Sequence, residues 1–398
     1  MSRTAYFRNR VFTIVRLVLN GRFLGRPVTG VERMAIHLTR AMREILAGLY
    51  SAGHDIDVIA PVGEAYRSTL PALGAPAPAF AAIGRLHGHA WEQTELLRVR
   101  PDSWLLNLCN MAPITRRRQA VVICDAMYID HPESFSRGFR WWYRIAQTVI
   151  GRRAAAIFTI SEFSRAALER HRLVPPGKTQ VLRLGIDHMD GLEADDGILA
   201  RTDVQPGGYL LVIGSLARHK NLALLIDAFV DAGVEGLDLV IAGGGNRRIH
   251  GNVVLRDAGN IRYTGRVSDA ELKALYTHAM AFACPSISEG FGFTPLEAMS
   301  TGCPVIATTG GAVPEICGNA AVYADPYDRT AWRDAIRRIA TDETLRNELK
   351  ELARLQASRF TWRHAALQML TALARHDGNH TLIEALERQS ENLYNAPN

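Results

Sequence analysis

The chain has 398 residues, 47% of them apolar and 22% charged, with a net charge of +6. This is the composition of a globular protein, and it excludes disordered and collagen-like chains. At roughly 150 residues per domain the length predicts two domains with substantial cores, and no run approaches the ~18 uninterrupted apolar residues of a membrane-spanning helix.

Residues 1–22, MSRTAYFRNRVFTIVRLVLNGR, begin basic and turn apolar, but Arg16 interrupts the apolar part and no small-x-small cleavage site follows. The segment therefore reads as a first strand, Val11–Leu19, rather than as a secretory signal. Further strands are predicted near Ile56–Ala60, Val121–Cys124 and Ala155–Thr159, with helices near Val31–Ala47 and Ser161–His171. A connector rich in Asp, Gly and small residues follows, and the alternation then becomes regular. Strands are predicted at Tyr209–Gly214, Leu237–Gly243, Ala279–Cys284 and Pro304–Thr308, with helices at Asn221–Val230, Ser268–His278 and Pro295–Ser300 between them. Such alternation predicts parallel sheets covered by helices: two open α/β domains facing a cleft between their strand C-terminal edges. The boundaries that follow are 1–190 and 207–365 for the domains, 191–206 for the linker, and 366–398 for terminal helices that pack back across the cleft.

The charge is unevenly spread. Residues 1–200 carry 26 Lys and Arg against 18 Asp and Glu, and residues 1–50 alone carry 9 arginines against 2 glutamates. The basic N-terminal half favours an anionic partner or membrane surface; a solvated face in an arginine-rich protein with only four lysines is the alternative. No zinc-finger, ribonucleoprotein or helix-turn-helix signature points to nucleic acid. The five scattered cysteines form no C-x-x-C pair, which predicts a reducing cytoplasm and no structural zinc.

The segment most informative about chemistry is SEGFGFTPLEAMSTGCPVIAT, Ser288–Thr308, directly after a predicted strand. Thr294, Pro295 and Glu297 fit a capping box, which gives Glu297 a purely structural reading. In the other reading, the loop Gly290, Phe291, Gly292, Phe293 leaves backbone N–H groups free at a helix N-terminus, a binding place for a phosphate or diphosphate. Glu289 stands in a loop that needs no acid for folding, and an ionised carboxylate there accepts hydrogen bonds from sugar hydroxyls. Arg218 and Lys220 occupy a strand-to-helix turn facing the same cleft, where a guanidinium fork and a point charge would neutralise a diphosphate; an exposed basic turn is the alternative. In the first half, Gly30 opens a helix where backbone can approach a ligand across the cleft; a plain turn and cap is the alternative. Asp125 follows a strand end, where it would bind hydroxyls, act as a base or simply be solvated.

These segments resemble the retaining GT-B glycosyltransferases of family four, across nearly the whole chain. LNGRFLGRPVTGVERMAIHL, ICDAMYIDHPESF, TISEFSR, IGSLARHKNLALLIDAF, YTGRVSDAELKALY and SEGFGFTPLEAMSTGCPVIAT are similar to successive family blocks, in family order. The glutamate pair with seven residues between is the most specific mark. The resemblance implies that Glu297 holds the donor ribose and Glu289 contacts the donor sugar near the reacting carbon. It implies that Arg218 and Lys220 hold the diphosphate, and that Gly292, Phe293 and Thr294 add backbone donors. Arg266 and Val267 match the positions beside the base, and Gly30 the early glycine loop. One departure is Cys124-Asp125, where the family commonly has His-Asp; a thiol is a poor hydrogen-bond donor, so the sugar contact differs here.

The resemblance implies transfer of a hexose from a nucleotide diphosphate sugar to a lipid-linked glycan in polysaccharide assembly, with retention and with no cofactor or metal. Similarity of the TGVER and HPESF blocks to mannosyltransferases points first to GDP-mannose. A UDP-sugar donor, an epimerase or phosphorylase, and a non-catalytic glycan-binding protein on the same fold are the alternatives. The expected location is the cytoplasm, at the anionic inner face of the membrane.

Overall fold

The computed structural model describes residues 16–50, 55–214, 217–243 and 259–394. Among these residues the chain forms two sheets, every pairing parallel. The first contains β1 (Leu17–Asn20), β2 (Ile56–Ala60), β3 (Phe80–Ala82), β4 (Trp104–Asn107), β5 (Gln119–Val122), β6 (Ala156–Thr159) and β7 (Thr179–Val181), in the order β3-β2-β1-β4-β5-β6-β7. The second contains β8 (Tyr209–Ile213), β9 (Asp238–Ala242), β10 (Ile261–Gly265), β11 (Ala281–Cys284), β12 (Val305–Thr308) and β13 (Ala321–Ala324), in the order β10-β9-β8-β11-β12-β13.

The central strands LVLN, WLLN, AIFT, AFAC and VIAT are buried on both faces. This is why they read as continuous apolar runs and why helices must cover both sides. The order reverses between β1 and β4 in one sheet and between β8 and β11 in the other. Loops leaving those strands diverge to opposite faces there and open a crevice at the carboxyl edge, where such sheets take ligands.

The first predicted strand is shorter than expected: β1 starts at Leu17, and the portion Val11–Val15 lies outside the described residues. The 191–206 segment contains a helix, Gly197–Thr202. The helix Trp362–His376 packs along Gly30–Leu49, beneath the first sheet. Ile186 N donates to Phe360 O (2.9 Å), Trp362 N donates to Asp187 Oδ1 (2.8 Å), and Trp104 Nε1 and Arg118 Nη2 both reach Asp377 Oδ2 (2.9 and 2.7 Å).

Candidate active site

The loop from Pro285 to Gly292 leaves β11 at the second switch point and is held from below by a pair of glycines after β12. A Cβ on Gly310 would lie 2.1 Å from Ile287 O, and one on Gly311, at φ +66°, would lie 2.4 Å from Glu289 N. Only glycine allows this approach. Ala312 N donates to Glu289 O (2.9 Å) and Ile287 N donates to His219 O (2.7 Å), so the loop is pinned on both sides.

On this platform Glu289 Oε1 accepts from Lys220 Nζ and from Ser286 Oγ, each at 2.6 Å. Burial alone would lower the Lys220 pKa, but the charge and hydrogen bond of Glu289 outweigh it and hold the ammonium above its ordinary value. Lys220 closes the single turn Arg218–Lys220, and Arg218 there is exposed. Asn221, at φ +55°, ties the turn down by donating to Pro285 O (3.2 Å) and Pro326 O (2.6 Å). Ser215 and Leu216, at the start of this basic cluster, lie outside the described residues.

Asp125 meets this loop from the first domain. A Cβ on Gly290 would stand 3.1 Å from Asp125 Oδ2, so the glycine permits the contact. Asp125 Oδ1 accepts from Met127 N (3.0 Å). Burial raises the Asp125 carboxyl pKa, and the Glu289 charge adds to the rise. Ser161 Oγ and Ser164 Oγ donate to Gly290 O (2.7 and 3.1 Å), while Glu315 accepts from Glu162 N and Phe163 N (2.9 and 3.1 Å) and so caps a helix of the other domain. Gly30 faces Phe293: its Cβ would lie 3.7 Å from Phe293 Cδ2. The Phe291 ring is buried core, 4.9 Å from that of Phe293.

The capping-box reading of Glu297 does not hold. The helix is Phe293–Ser300, beginning two residues before Pro295, with Gly292 as N-cap at φ +116° and no side chain capping it. Thr294 is thus inside the first turn, and no side chain caps the N–H groups there. Glu297 instead lies buried in a cross-domain cluster. Its Oε2 accepts from Tyr276 Oη (3.2 Å), and its Oε1 stands 3.8 Å from His188 Nε2. Burial raises the Glu297 pKa, and the charge of Arg33 opposes that rise. His188 stacks on His37 (4.6 Å) and accepts from Trp362 Nε1 (3.2 Å). Arg33 makes two hydrogen bonds to Asp269 (2.9 and 2.7 Å).

Arg266 and Val267 follow β10, two strands from β8; Arg266 is exposed and Val267 packs on the core. Arg33, Ser161, Ser164 and Tyr276 lie within the blocks that carry the family resemblance without being assigned a site role there, whereas His188, Glu315, Gly310 and Gly311 lie outside them, and of these four only the Gly-Gly pair after a predicted strand carries a local signal. All five cysteines are free, and among the described residues no group of three His, Cys, Asp or Glu is arranged to hold a metal ion.

Residues 204–356 match the family model "Glycosyl transferases group 1". The chain is 32% identical over 229 residues to the O-antigen chain mannosyltransferase B of Escherichia coli, covering 55% of this chain and 60% of that protein, less than two thirds of its length. It is 24% identical over 335 residues to the O-antigen chain mannosyltransferase RfbU of Salmonella typhimurium, covering 81% and 90% respectively. Among solved structures, Anabaena HepE in complex with UDP and glucose superposes with a TM-score of 0.70 at 18% identity, over 90% of this chain and 99% of that one. WaaG, a glycosyltransferase involved in lipopolysaccharide biosynthesis, superposes with a TM-score of 0.62 at 18% identity, over 91% and 98%. Residues 204–356, which carry the second sheet, thus match the group 1 glycosyltransferases, and the two parallel sheets together have the GT-B fold of these structural neighbours.

Proposed function

We propose that this protein transfers mannose from GDP-mannose to a lipid-linked glycan acceptor in polysaccharide biosynthesis, with retention at the anomeric carbon and without a metal. The observation that carries the reading is the Lys220–Glu289 pair on a glycine-supported loop, facing Asp125 across the cleft. The two O-antigen mannosyltransferases among the relatives support the choice of sugar.

In this reading Lys220, Arg218 and the uncapped helix end at Gly292–Thr294 receive the diphosphate and stabilise its charge as it leaves. Fixed donors aimed at developing charge are the largest single source of catalysis in such sites. Glu289 and Asp125 accept hydroxyls of the transferred sugar. The leaving phosphate oxygen helps remove the acceptor proton, so no protein nucleophile is assigned. Glu297 Oε1 takes the ribose, and Arg266 and Val267 lie beside the base.

A peripheral position on an anionic membrane is supported by the helix Arg137–Arg153. Trp141 is 68% exposed and Ile145 43%, and both alternate with exposed Arg137 and Arg144. Interfacial helices have this character. Among the described residues no helix is long and apolar enough to cross a membrane.

The test is thermal unfolding with GDP, UDP and ADP, each with and without magnesium, followed by product analysis with the matching sugar donors. A ligand at ~100 times its Kd adds about 2.7 kcal/mol, enough for a clear rise in Tm. A GDP-selective, magnesium-independent shift is expected. UDP selectivity would replace the donor, and no shift with any nucleotide would move the protein to a glycan-binding role.

A further inference from the structure

The carbonyl of Gly290, one residue past Glu289, is held from the other domain. Ser161 Oγ and Ser164 Oγ donate to Gly290 O at 2.7 and 3.1 Å, and neither serine has exposed surface. A carbonyl oxygen has two lone pairs, so the two hydroxyls use its full capacity. Ser161 is also the N-cap of the helix Glu162–Arg170, its Oγ accepting from Ser164 N (3.0 Å). Glu315, from the second domain, accepts from Glu162 N and Phe163 N and so keeps the start of that helix against the loop.

The two peptides on either side of Gly290 are held differently. Glu289 O accepts from Ala312 N (2.9 Å), a bond within the second domain, so the Glu289–Gly290 peptide is fixed without help from the first. The Gly290–Phe291 peptide has no such support. Its oxygen is taken by the two serines, and its nitrogen, Phe291 N–H, has no hydrogen-bond partner among the described residues. Glycine at position 290 leaves this peptide free to turn, since no Cβ restricts the backbone. The serines are therefore what sets its direction.

A trans peptide is planar, with its C=O and N–H pointing opposite ways, and Gly290–Phe291 is trans. Gripping Gly290 O from the first domain thus aims Phe291 N–H away from the serines. Phe291 is only 3% exposed, and a donor in so buried a residue is normally paired. An unpaired one between Glu289 and the uncapped helix start at Gly292 is a donor left for a ligand oxygen. If the peptide turned over, the same place would present a carbonyl oxygen, which repels the phosphate and hydroxyl oxygens that an N–H attracts. Donors fixed before the reaction are worth most where charge develops.

We propose that Ser161 and Ser164 are positioning residues for the transfer reaction: through the Gly290 carbonyl they set the Gly290–Phe291 peptide, so that a backbone donor of the second domain is aimed by side chains of the first. The reaction itself rests on the transferase reading, but the orientation of the peptide is testable without turnover.

The chain contains three Gly-Phe pairs, at 138–139, 290–291 and 292–293. Labelling glycine with 13C at the carbonyl and phenylalanine with 15N therefore leaves three signals in a carbonyl–amide correlation spectrum of the deuterated full chain. Gly138→Ala and Phe293→Leu each remove one of the other two and so assign Gly290–Phe291. Wild type is compared with Ser164→Ala, which leaves the helix cap intact, and with Ser161→Gly/Ser164→Ala, in which glycine is itself an accepted cap residue. The Gly290 carbonyl signal is expected to move upfield in the single variant and further in the double one, as its hydrogen bonds are lost. With GDP-mannose and UDP-glucose as donors, kcat is expected to fall tenfold or more in the double variant, and further than the affinity for GDP or UDP. The proposal is overturned if the Gly290 signal is unmoved in both variants, if the double variant loses less than tenfold in kcat, or if nucleotide affinity falls as far as kcat, the mark of a site lost as a whole. A wild type that transfers sugar from neither donor would defeat the transferase reading instead. The Gly290 signal, with the Phe291 amide shift on adding GDP or UDP, would then still decide whether the serines set this peptide.

Discussion

Lys220 Nζ sits 2.6 Å from Glu289 Oε1, although the two residues come from different strand-end loops 69 positions apart. The pair holds a cation and an anion at the mouth of the cleft, where a departing diphosphate and a sugar hydroxyl would need them. Removing either group strands the other in a part-buried site. Lys220→Ala is therefore expected to cost about 2–5 kcal/mol in transition-state stabilisation, roughly a thirtyfold to several-thousandfold fall in kcat/KM. Steady-state kinetics of the two single variants and the double variant checks this. The double variant should lose less than the sum of the singles, because the same bond is broken in each. Undiminished turnover in Lys220→Ala would remove it from the site.

The Arg33–Asp269 bond is a different kind of ion pair. It joins the first helix of one domain to the first turn of a helix in the other, with side chains 22% and 48% exposed. Exposed pairs contribute only about 0.2–1 kcal/mol, so Asp269→Asn should lower Tm little. Its effect should appear in geometry: the radius of gyration measured by solution scattering is expected to rise as the domains part, and the donor KM to rise with it. Unchanged scattering and KM would show that the contacts around Gly290, Glu315 and Glu297 hold the cleft without this pair.

Strands β1, β2, β5, β6, β8, β9, β11 and β12 and the placement of Glu289 in a strand-end loop were legible because each signal is local, whereas β3, β7, β10 and β13 are short or mixed runs that sequence reading passes over. Glu289 and Lys220 lie within a few residues of strand ends whose apolar runs are unambiguous. The neighbours of Glu297 were not legible, since Arg33 and Asp269 are 236 residues apart and His188 comes from the crossing between domains. The capping-box pattern around Thr294 was present in the sequence but lost to Gly292, whose positive φ starts the helix earlier. The helix Arg137–Arg153 escaped notice because five arginines mask its apolar period, and WLLN of β4 because four residues between loops give too short a signal.

The stacked imidazoles predict an acid-sensitive fold. Burial, together with neighbouring positive charge, depresses His37 to about 3 and His188 to about 4. Both are neutral when folded and would charge on unfolding below their usual value of about 6.5. In that window the unfolded chain binds more protons, so stability falls as pH drops from about 6.5 towards 4. Asp125 and Glu297, raised by burial, act in the opposite direction at the acid end. The comparison that isolates the histidine is therefore wild type against His37→Phe, which keeps an aromatic ring on His188. Its Tm should fall less steeply between pH 6.5 and 5; identical slopes would mean His37 does not titrate on unfolding.

The glycine pair under Glu289 gives the sharpest test of positioning. A methyl group on Gly310 would stand 2.1 Å from Ile287 O, which is backbone and cannot rotate away, so the loop must rise. Overpacking of this kind costs about 1–3 kcal/mol of stability, and a displacement near 1 Å at a reacting group can cost ~10²-fold in rate. Gly310→Ala is expected to fold with a modestly lower Tm and to lose at least tenfold in kcat. Gly138→Ala, where nothing lies within 4 Å of the added carbon, is the control that should change neither. Full activity in Gly310→Ala would mean the loop tolerates displacement, and that Glu289 does not need its present position to act.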